Sequence, residues 1–313
     1  MTTGAGTDQR TDTTPAQASR YGMIAIDLDG TLLGPDGAVS RRNIRAIDRA
    51  REAGIRVTIC TGRGFVECER FLGTIGQADP VVVAGGSILS CPATRRTIHR
   101  FAIDHAVVSR SVERLLGHGH AVLVLKDPVE TGYDYLVVQG EQNHPIDPVT
   151  AWWFKEMNVR ARFARSIHED EHPEHTVRFG ICGTDLALAP IGEDLLGHVG
   201  DGIHLHNFPA VVAPEHTRLT GEGRRYHILE VFSRDANKWT ALSWLASRSG
   251  IAPERVVAIG DEVNDEAMIV GAGLGVAMGN AVERVKKAAK RQTLRHDEDG
   301  VAYAIDRVLG GEW

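Results

Sequence analysis

The chain has 313 residues, of which 42% are hydrophobic and 24% are charged. These values are typical of globular proteins of about two domains, and they exclude disordered, collagen-like and coiled-coil chains. Its 35 Lys and Arg against 41 Asp and Glu give a formal charge of −6, so we expect neither nucleic acid nor an anionic membrane surface as a partner.

The cysteine pattern and the lack of long apolar runs indicate a cytoplasmic protein. Cys60, Cys68, Cys91 and Cys182 form no CxxC pair, which favours reduced thiols over a disulfide framework. No apolar run approaches the roughly 18 residues of a membrane span, and the polar residues 1–20 contain no signal-peptide core. We expect residues 1–20 to form a disordered tail.

Strands and helices alternate from residue 21 onward. The apolar run at residues 23–26 predicts a buried parallel strand. Ser40 is expected to cap a helix over residues 41–53 that ends at Gly54. Further strands are predicted at residues 56–60 and 80–84, with a helix over residues 65–72 between them.

The same alternation returns late in the chain, with strands and helices predicted at residues 228–232, 236–249, 255–259, 265–270 and 274–277. The middle differs, with strand candidates at residues 121–125, 135–139 and 176–181. We therefore predict an α/β fold. Its core is a Rossmann-like, doubly wound parallel sheet at residues 21–86 and 226–313, and an α+β cap is inserted at residues 87–225.

Two carboxylates follow the first predicted strand, in the run Asp27-Leu28-Asp29-Gly30-Thr31. Open α/β sheets bind ligands at the carboxyl ends of their strands. Adjacent carboxylates repel, which raises a pKa unless a cation neutralises them, and Mg²⁺ is the usual hard cation where phosphate is bound. An ordinary Asp-Gly turn is the alternative interpretation.

A second acidic cluster, Asp261-Glu262-Val263-Asn264-Asp265, follows the strand predicted at residues 255–259. Four carboxylate or amide side chains in five positions suit a bound cation. The alternative is an acidic first helical turn that is stabilised by the helix dipole.

Two weaker signals fit a phosphate site. Thr61-Gly62-Arg63 closes the second strand and offers a hydroxyl and backbone N–H groups at a helix start. Lys238 lies in the first turn of a helix that Asp235 is expected to open. A cation is unfavourable there unless an anion compensates it, although a plain surface lysine is the alternative.

Together these four elements, each at the end of a strand or the start of the next helix, resemble the ordered motifs of the haloacid dehalogenase superfamily of phosphotransferases. The inserted segment and the pattern Gly-Asp-x-x-Asn-Asp at residues 260–265 resemble its Cof-type branch more narrowly. The similarity spans about residues 21–309. Two departures are Ala84-Gly85-Gly86-Ser87, where the branch often has Asn-Gly, and Trp239, where a Gly often follows the lysine.

The resemblance implies a Mg²⁺-dependent phosphomonoester hydrolase that acts on a small phosphorylated metabolite such as a sugar phosphate. Asp27 would form an aspartyl-phosphate, and Asp29 would protonate the leaving oxygen and then activate water. The remaining implied roles are phosphoryl binding by Thr61 and Lys238, substrate binding by Gly62, Arg63 and Asn264, and Mg²⁺ binding by Asp27, the Asp29 backbone carbonyl, Asp261 and Asp265.

Two other functions remain open at this point. A phosphosugar mutase uses the same aspartyl-phosphate but returns the phosphoryl group to its substrate. A non-catalytic protein that binds a phosphorylated metabolite keeps the fold, although it does not need both Asp27 and Asp29. The sequence indicates neither the particular substrate nor an oligomeric state.

Other residues that could carry chemistry are interpreted as structural. The polar stretch with His168, His172 and His175 is expected to be a solvated loop, and His204 and His206 match no metal motif. We expect Trp152-Trp153-Phe154 to belong to the core of the cap, and Arg224 and Arg225 to lie in a hinge at the surface. Cys60 is expected to be a small buried hydrophobic residue.

Overall fold

The computed structural model describes residues 20–210 and 225–313. The predicted tail lies outside this part of the chain except for Arg20, and so does Arg224. The first stretch contains the strands β1 (Met23–Ile26), β2 (Arg56–Ile59), β3 (Val81–Val83), β4 (Ile88–Cys91) and β5 (Arg96–Arg100), and the helices α1 (Arg41–Glu52) and α2 (Phe65–Thr74).

The middle stretch contains the strands β6 (Val122–Lys126), β7 (Tyr135–Val138), β8 (Ala161–Ala164), β9 (Thr176–Thr184), β10 (Ile203–Pro209) and β11 (Tyr226–Ser233). Its helices are α3 (His105–Gly117), α4 (Pro128–Thr131), α5 (Pro148–Glu156) and α6 (Asp185–Val199). The last stretch contains β12 (Val256–Gly260), β13 (Leu274–Ala277), β14 (Arg291–Gln292), α7 (Lys238–Arg248), α8 (Glu266–Gly271), α9 (Glu283–Ala288) and α10 (Gly300–Leu309).

Local sequence signals explain the ends of the first helix. The Ser40 side chain accepts a hydrogen bond from the backbone N–H of Asn43, as an N-cap residue does. Gly54, with φ +77°, follows the helix in the left-handed region that glycine adopts without strain. Both predictions are confirmed, and β1 is buried along its whole length as expected for a central parallel strand.

The core is a parallel sheet with the strand order β14-β13-β12-β1-β2. Here β1 lies between β12 and β2, with Ile26 level with Ile259 and Ile59. An isolated parallel bridge from Cys60 to Val82 continues the sheet to β3. Helix α1 packs against α10, and α7 packs against α8. The carboxyl ends of β1, β2 and β12 therefore meet at one edge of the sheet.

A hairpin extends the core side of the molecule beyond the predicted boundary at residue 87. Strand β4 pairs antiparallel with β3, and β5 pairs antiparallel with β4, in a three-stranded sheet. Ile88 and Leu89 are buried in the same hydrophobic cluster as β1. The expectation that the cap begins at residue 87 is wrong for this hairpin, because β4 hydrogen-bonds to the core strand that precedes it.

A second sheet, with the order β10-β11-β9-β6-β7-β8, forms the cap, which we define as His105–Ser233. Helices α3 and α6 pack against each other and on one face of this sheet, where Leu229 and Val231 are buried. The opposite face points toward the core and carries Ile228 and Glu230. In the described chain, no helix combines the length and apolarity that crossing a bilayer requires.

The strand predicted at residues 228–232 was assigned to the parallel core, and this assignment is wrong. The strand is β11, which pairs antiparallel with both β9 and β10 in the cap. A central strand that is covered on both faces has the same apolar character whether its neighbours are parallel or antiparallel. Its sequence therefore predicted the strand without predicting the sheet.

Candidate active site

Three strand ends and one helix start converge at the carboxyl edge of the core sheet. Lys238 Nζ lies 2.6 Å from Asp27 Oδ1 and 2.6 Å from Asp265 Oδ1. It also lies 3.4 Å from Asn264 Oδ1. Asp27, Lys238 and Asp265 are buried, so the structure brings together residues from three separated motifs.

Helix α7 begins later than predicted. Its N-cap is Asn237, whose side chain accepts a hydrogen bond from Thr240 N, and not Asp235. The chain first makes a turn in which Ala236 N donates to Ser233 O. Lys238 is consequently the first helical residue, where the dipole disfavours a cation, and Asp27 and Asp265 compensate its charge.

Burial dominates the electrostatics of this cluster. It raises the pKa of Asp27 well above its usual value, Asp265 raises it further, and Lys238 opposes the rise. Burial also raises the pKa of Asp261 to about 7, with Asp265 adding to the effect. Burial alone would lower the pKa of Lys238, but Asp265 and Asp27 raise it far above the ordinary range. The carboxylates therefore lack full compensation of their negative charge.

Three carboxylates are placed to hold a cation. Asp27, Asp261 and Asp265 each offer an oxygen, and these oxygens lie within 4.8 Å of one another. Thr31 Oγ1 donates to Asp261 Oδ1 at 2.8 Å. Asp265 Oδ2 accepts from the backbone N–H groups of Asp261 and Glu262, which shapes the loop after β12. An all-oxygen donor set with excess negative charge fits a hard divalent cation.

The side chain of Asp29 lies outside that group and pairs with Arg63. Arg63 Nε donates to Asp29 Oδ2 at 2.8 Å, and Nη2 donates to Oδ1 at 2.5 Å. Asp29 remains 41% exposed, whereas the Arg63 side chain is 9% exposed. Arg63, which was predicted to bind substrate, therefore holds the carboxylate of Asp29, which was predicted to act as acid and base.

Thr61 and Gly62 occupy the end of β2. Thr61 is buried, and its Oγ1 accepts a hydrogen bond from Arg63 N at 3.1 Å. The Gly62 carbonyl accepts a hydrogen bond from the cap residue Arg178 at 2.7 Å. The turn that joins β2 to α2 is thus stabilised by one hydrogen bond inside the turn and by another from the cap.

The turn after β3 fixes the start of α7. Gly85 and Gly86 have φ values of +69° and +102°. A Cβ atom on Gly86 would overlap the backbone of Asn237, the N-cap residue that precedes Lys238. These glycines occupy the position where the sequence departs from the Cof-type pattern, and their lack of side chains permits this close approach.

A cavity of about 380 Å³ lies between this edge of the core and the cap. Asp27, Asp29 and Asp261 line its core side. Most of its cap side is apolar and is lined by Leu123, Val149, Trp153, Phe154, Phe179, Phe208, Pro209 and Ile228. The assignment of Trp152-Trp153-Phe154 to the cap core is therefore wrong for Trp153 and Phe154, which line the cavity.

A buried polar chain that the sequence analysis missed links the cap to the core. Trp153 Nε1 donates to Glu67 Oε1 at 3.0 Å, and Tyr135 OH lies 3.5 Å from the same oxygen. Arg178 Nη2 donates to Tyr135 OH at 2.8 Å, and Arg178 Nη1 forms an ion pair with Glu230 at 2.9 Å. A lone charged residue within an apolar strand, as at positions 178 and 230, was the available signal.

Apart from Trp153 and Phe154, the described residues interpreted as structural do not line the cavity. The stretch with His168, His172 and His175 is not fully solvated as expected, because its Asp170 forms a buried ion pair with Lys126. His168 pairs with Glu113, and His204 stacks on Phe232. In residues 20–210 and 225–313, the aspartate group above is the only set of three or more potential metal ligands that lie close together. Burial raises the pKa of Cys60, which disfavours a reactive thiolate, and Arg225 is exposed.

Comparisons with known proteins agree with this architecture. The chain is 30% identical over 303 residues to the 5-amino-6-(5-phospho-D-ribitylamino)uracil phosphatase YwtE of Bacillus subtilis, covering 93% of this chain and 99% of that protein. It is 28% identical over 283 residues to the pyridoxal phosphate phosphatase YbhA of Escherichia coli, and the match covers 90% of this chain and 97% of that protein.

A solved haloacid dehalogenase-like hydrolase from Bacteroides thetaiotaomicron superposes with a TM-score of 0.73 at 27% identity, covering 92% of this chain and 99% of that one. The family model described as haloacid dehalogenase-like hydrolase matches residues 24–305, nearly the whole described chain. The parallel core, the antiparallel cap and these matches agree, and the chain belongs to the haloacid dehalogenase-like hydrolase family.

Proposed function

We propose that the chain is a Mg²⁺-dependent phosphomonoester hydrolase that acts on a small phosphorylated metabolite through an aspartyl-phosphate on Asp27. The observation that carries this proposal is the buried contact of Asp27 with Lys238, at the core side of a cavity that the cap closes. A carboxylate held by a cation at the floor of a cavity is oriented for attack on an entering phosphoryl group.

In the first step, an oxygen of Asp27 attacks phosphorus and the bond from phosphorus to the leaving oxygen breaks. Asp29, two residues away and lining the same cavity, donates a proton to that oxygen. In the second step, Asp29 takes a proton from water, the water oxygen attacks phosphorus, and phosphate leaves. Asp27 is then restored as a carboxylate.

Lys238 and the strand-end groups stabilise the charge on the phosphoryl oxygens. Lys238 already contacts Asp27, so its ammonium lies next to the attacking atom. Asp27, Asp261 and Asp265, together with the Asp29 backbone carbonyl, would hold Mg²⁺. When bound, the ion offsets the repulsion between the nucleophile and the phosphate. The raised pKa values of Asp27 and Asp261 support this assignment, because both carboxylates lack full compensation.

The cap suits a leaving group that is compact and partly apolar. Aromatic and aliphatic side chains form most of its cavity wall. The named substrates of YwtE and YbhA are phosphorylated compounds that contain a nitrogen heterocycle. We therefore include ring-bearing phosphates alongside the sugar phosphates that the sequence pattern favoured.

The test is phosphate release from sugar phosphates, nucleotides, pyridoxal phosphate and flavin mononucleotide, with Mg²⁺ or with EDTA. We expect release that requires Mg²⁺ in the wild type and a loss of at least about 10³-fold in Asp27→Asn. Equal release by both proteins would show that Asp27 is not the nucleophile. A phosphorylated isomer in place of free phosphate, detected by ³¹P NMR, would identify a mutase.

A further inference from the structure

We propose that Glu230 selects the leaving group, by accepting hydrogen bonds from an N–H or O–H group on a flat and otherwise apolar molecule bound against the cap. This inference deepens the proposed function and rests on it. It assigns a specificity-determining residue and a chemical class to the cap side of the cavity, which none of the motifs at the sheet edge addresses.

The position of Glu230 allows it to contact a ligand. Glu230 lies on β11, a central strand of the cap sheet, and its side chain lines the cavity with 12% of its surface exposed. The residue opposite it on β9 is Gly180, which also lines the cavity. Because Gly180 has no side chain, the cavity reaches the sheet beside the Glu230 carboxylate.

The protein leaves acceptor capacity on this carboxylate. Arg178 Nη1 lies 2.9 Å from Glu230 Oε1 as an ion pair. The hydrogen bonds of Arg178 go instead to the Gly62 carbonyl and to Tyr135 OH. Among residues 20–210 and 225–313, no N–H or O–H group makes a hydrogen bond of normal geometry to Glu230. A carboxylate has about four acceptor sites, so a ligand donor finds them available.

Burial makes this unused capacity energetically important. Burial raises the pKa of Glu230 to about 7, Arg178 opposes the rise, and Glu67 adds to it. A buried carboxylate without hydrogen bonds is costly, and each donor that a ligand supplies lowers that cost. A ligand that presents an apolar surface or a second carboxylate at this point leaves the cost in place or increases it.

The surroundings of Glu230 define the rest of the leaving group. Ile228 on the same strand and Phe208 on β10 line the cavity next to it, and Trp153 and Phe154 line it from α5. Aromatic and aliphatic walls favour a flat ring. The preferred leaving group is therefore a ring with an amine, hydroxyl or ring N–H directed at Glu230, attached to the phosphate through an alcohol carbon.

The test uses three phosphates with the same leaving atom: benzyl phosphate, 3-aminobenzyl phosphate and 3-carboxybenzyl phosphate. The methylene group insulates the leaving oxygen from the ring substituent, so kcat/KM relative to benzyl phosphate reports recognition. The wild type should prefer the amino compound and disfavour the carboxy compound. In Glu230→Gln the amino preference should fall by about 10- to 100-fold, and the carboxy compound should gain several-fold.

The matched control is Glu193→Gln, which makes the same chemical change at an exposed position on α6 of the cap. It should leave both ratios at their wild-type values. Glu230→Asp provides a second variant, because it keeps the charge and withdraws it by one methylene. This variant should retain the rejection of the carboxy compound and lose part of the amino preference.

Failure of this inference is distinguishable from failure of the proposed function. If the wild type releases phosphate but shows no preference for the amino compound, selection by Glu230 is wrong. It is also wrong if, in a folded Glu230→Gln, the kcat/KM ratios of the amino and carboxy compounds to benzyl phosphate stay within twofold of the wild-type ratios. If neither these compounds nor the phosphates used to test the proposed function are hydrolysed, the hydrolase proposal is wrong. Calorimetric binding of the same three compounds to Asp27→Asn, with and without Glu230→Gln, then measures the two ratios without turnover and decides the role of Glu230.

Discussion

Arg63 holds both carboxylate oxygens of Asp29, with Nε at 2.8 Å from Oδ2 and Nη2 at 2.5 Å from Oδ1. The guanidinium carbon also lies 5.2 Å from the ring centroid of Phe71 in the core and 5.0 Å from that of Trp153 in the cap. One buried side chain therefore orients the proposed acid and base while contacting both parts of the molecule.

Replacement of Arg63 should impair turnover more than substrate binding. We expect Arg63→Ala to lower kcat by about 10- to 100-fold, because Asp29 loses its orientation. Arg63→Lys should stay at least about 10-fold low, since an ammonium cannot reproduce the two parallel hydrogen bonds. The control is Arg70→Ala, because exposed Arg70 also lies over the Phe71 ring. Equal losses in Arg63→Ala and Arg70→Ala would contradict a role for Arg63 in orienting Asp29.

Removal of the Lys238 charge should destabilise the fold through the carboxylates that it leaves behind. In EDTA at pH 7, we expect Lys238→Met to lower the free energy of unfolding by about 3–5 kcal/mol, because Asp27 and Asp265 lose their buried cation. Adding Asp27→Asn should recover part of this loss. Urea unfolding of the single and double variants measures both effects, and a double variant less stable than Lys238→Met would argue against this explanation.

The turn after β3 offers a test of how closely it approaches α7. We expect Gly86→Ala to destabilise the protein by at least about 2 kcal/mol and to lower kcat, because the new Cβ atom meets the backbone beside Lys238. Gly37→Ala is the control, since Gly37 has φ +70° but no neighbouring atom within 4 Å of such a Cβ. It should show only the smaller cost of its backbone conformation, with unchanged kcat. Thermal unfolding and steady-state kinetics compare the two.

The raised pKa of Glu230 predicts a particular dependence of stability on pH. Its pKa rises from 4.5 to about 7 on folding, so the folded state binds the proton more tightly than the unfolded state. The contribution of Glu230 to stability is therefore present below pH 4.5 and is lost as pH rises toward 7, by about 3 kcal/mol at most. Urea unfolding of wild type and Glu230→Gln should show the wild type losing stability relative to the variant over this interval. A difference that does not change with pH would contradict the shift.

The strand-end cluster could be predicted from sequence because each of its members is a local signal. Asp27, Thr61 and Asp261 each follow a short apolar strand, and parallel strands bring their carboxyl ends to one edge. Lys238 was predicted to need a compensating anion, which Asp27 and Asp265 provide in the structure. The residue that caps its helix was not predicted, because the turn over residues 233–236 has no strong sequence signature.

The cap side of the site could not be predicted in the same way. Tyr135, Arg178 and Glu230 come from three strands whose neighbours are set by the order of the cap sheet, and their partner Glu67 comes from α2 of the core. Each position has ordinary local chemistry, and the set forms only when β11 lies between β9 and β10. Once β11 was assigned to the wrong sheet, the opposition of Glu230 to Gly180 could not be anticipated.

The two connections between cap and core restrict how the cavity can open. Residues 101–104 join β5 to α3, and residues 234–237 join β11 to α7. Four residues reach at most about 14 Å. Both connections adjoin the same turn, because Phe101 N donates to Ser87 O and Gly86 lies against Asn237. The chain connects the cap to the core at one side only, so we expect the cap to open by rotation about that side, with substrate entering and phosphate leaving at the opposite rim.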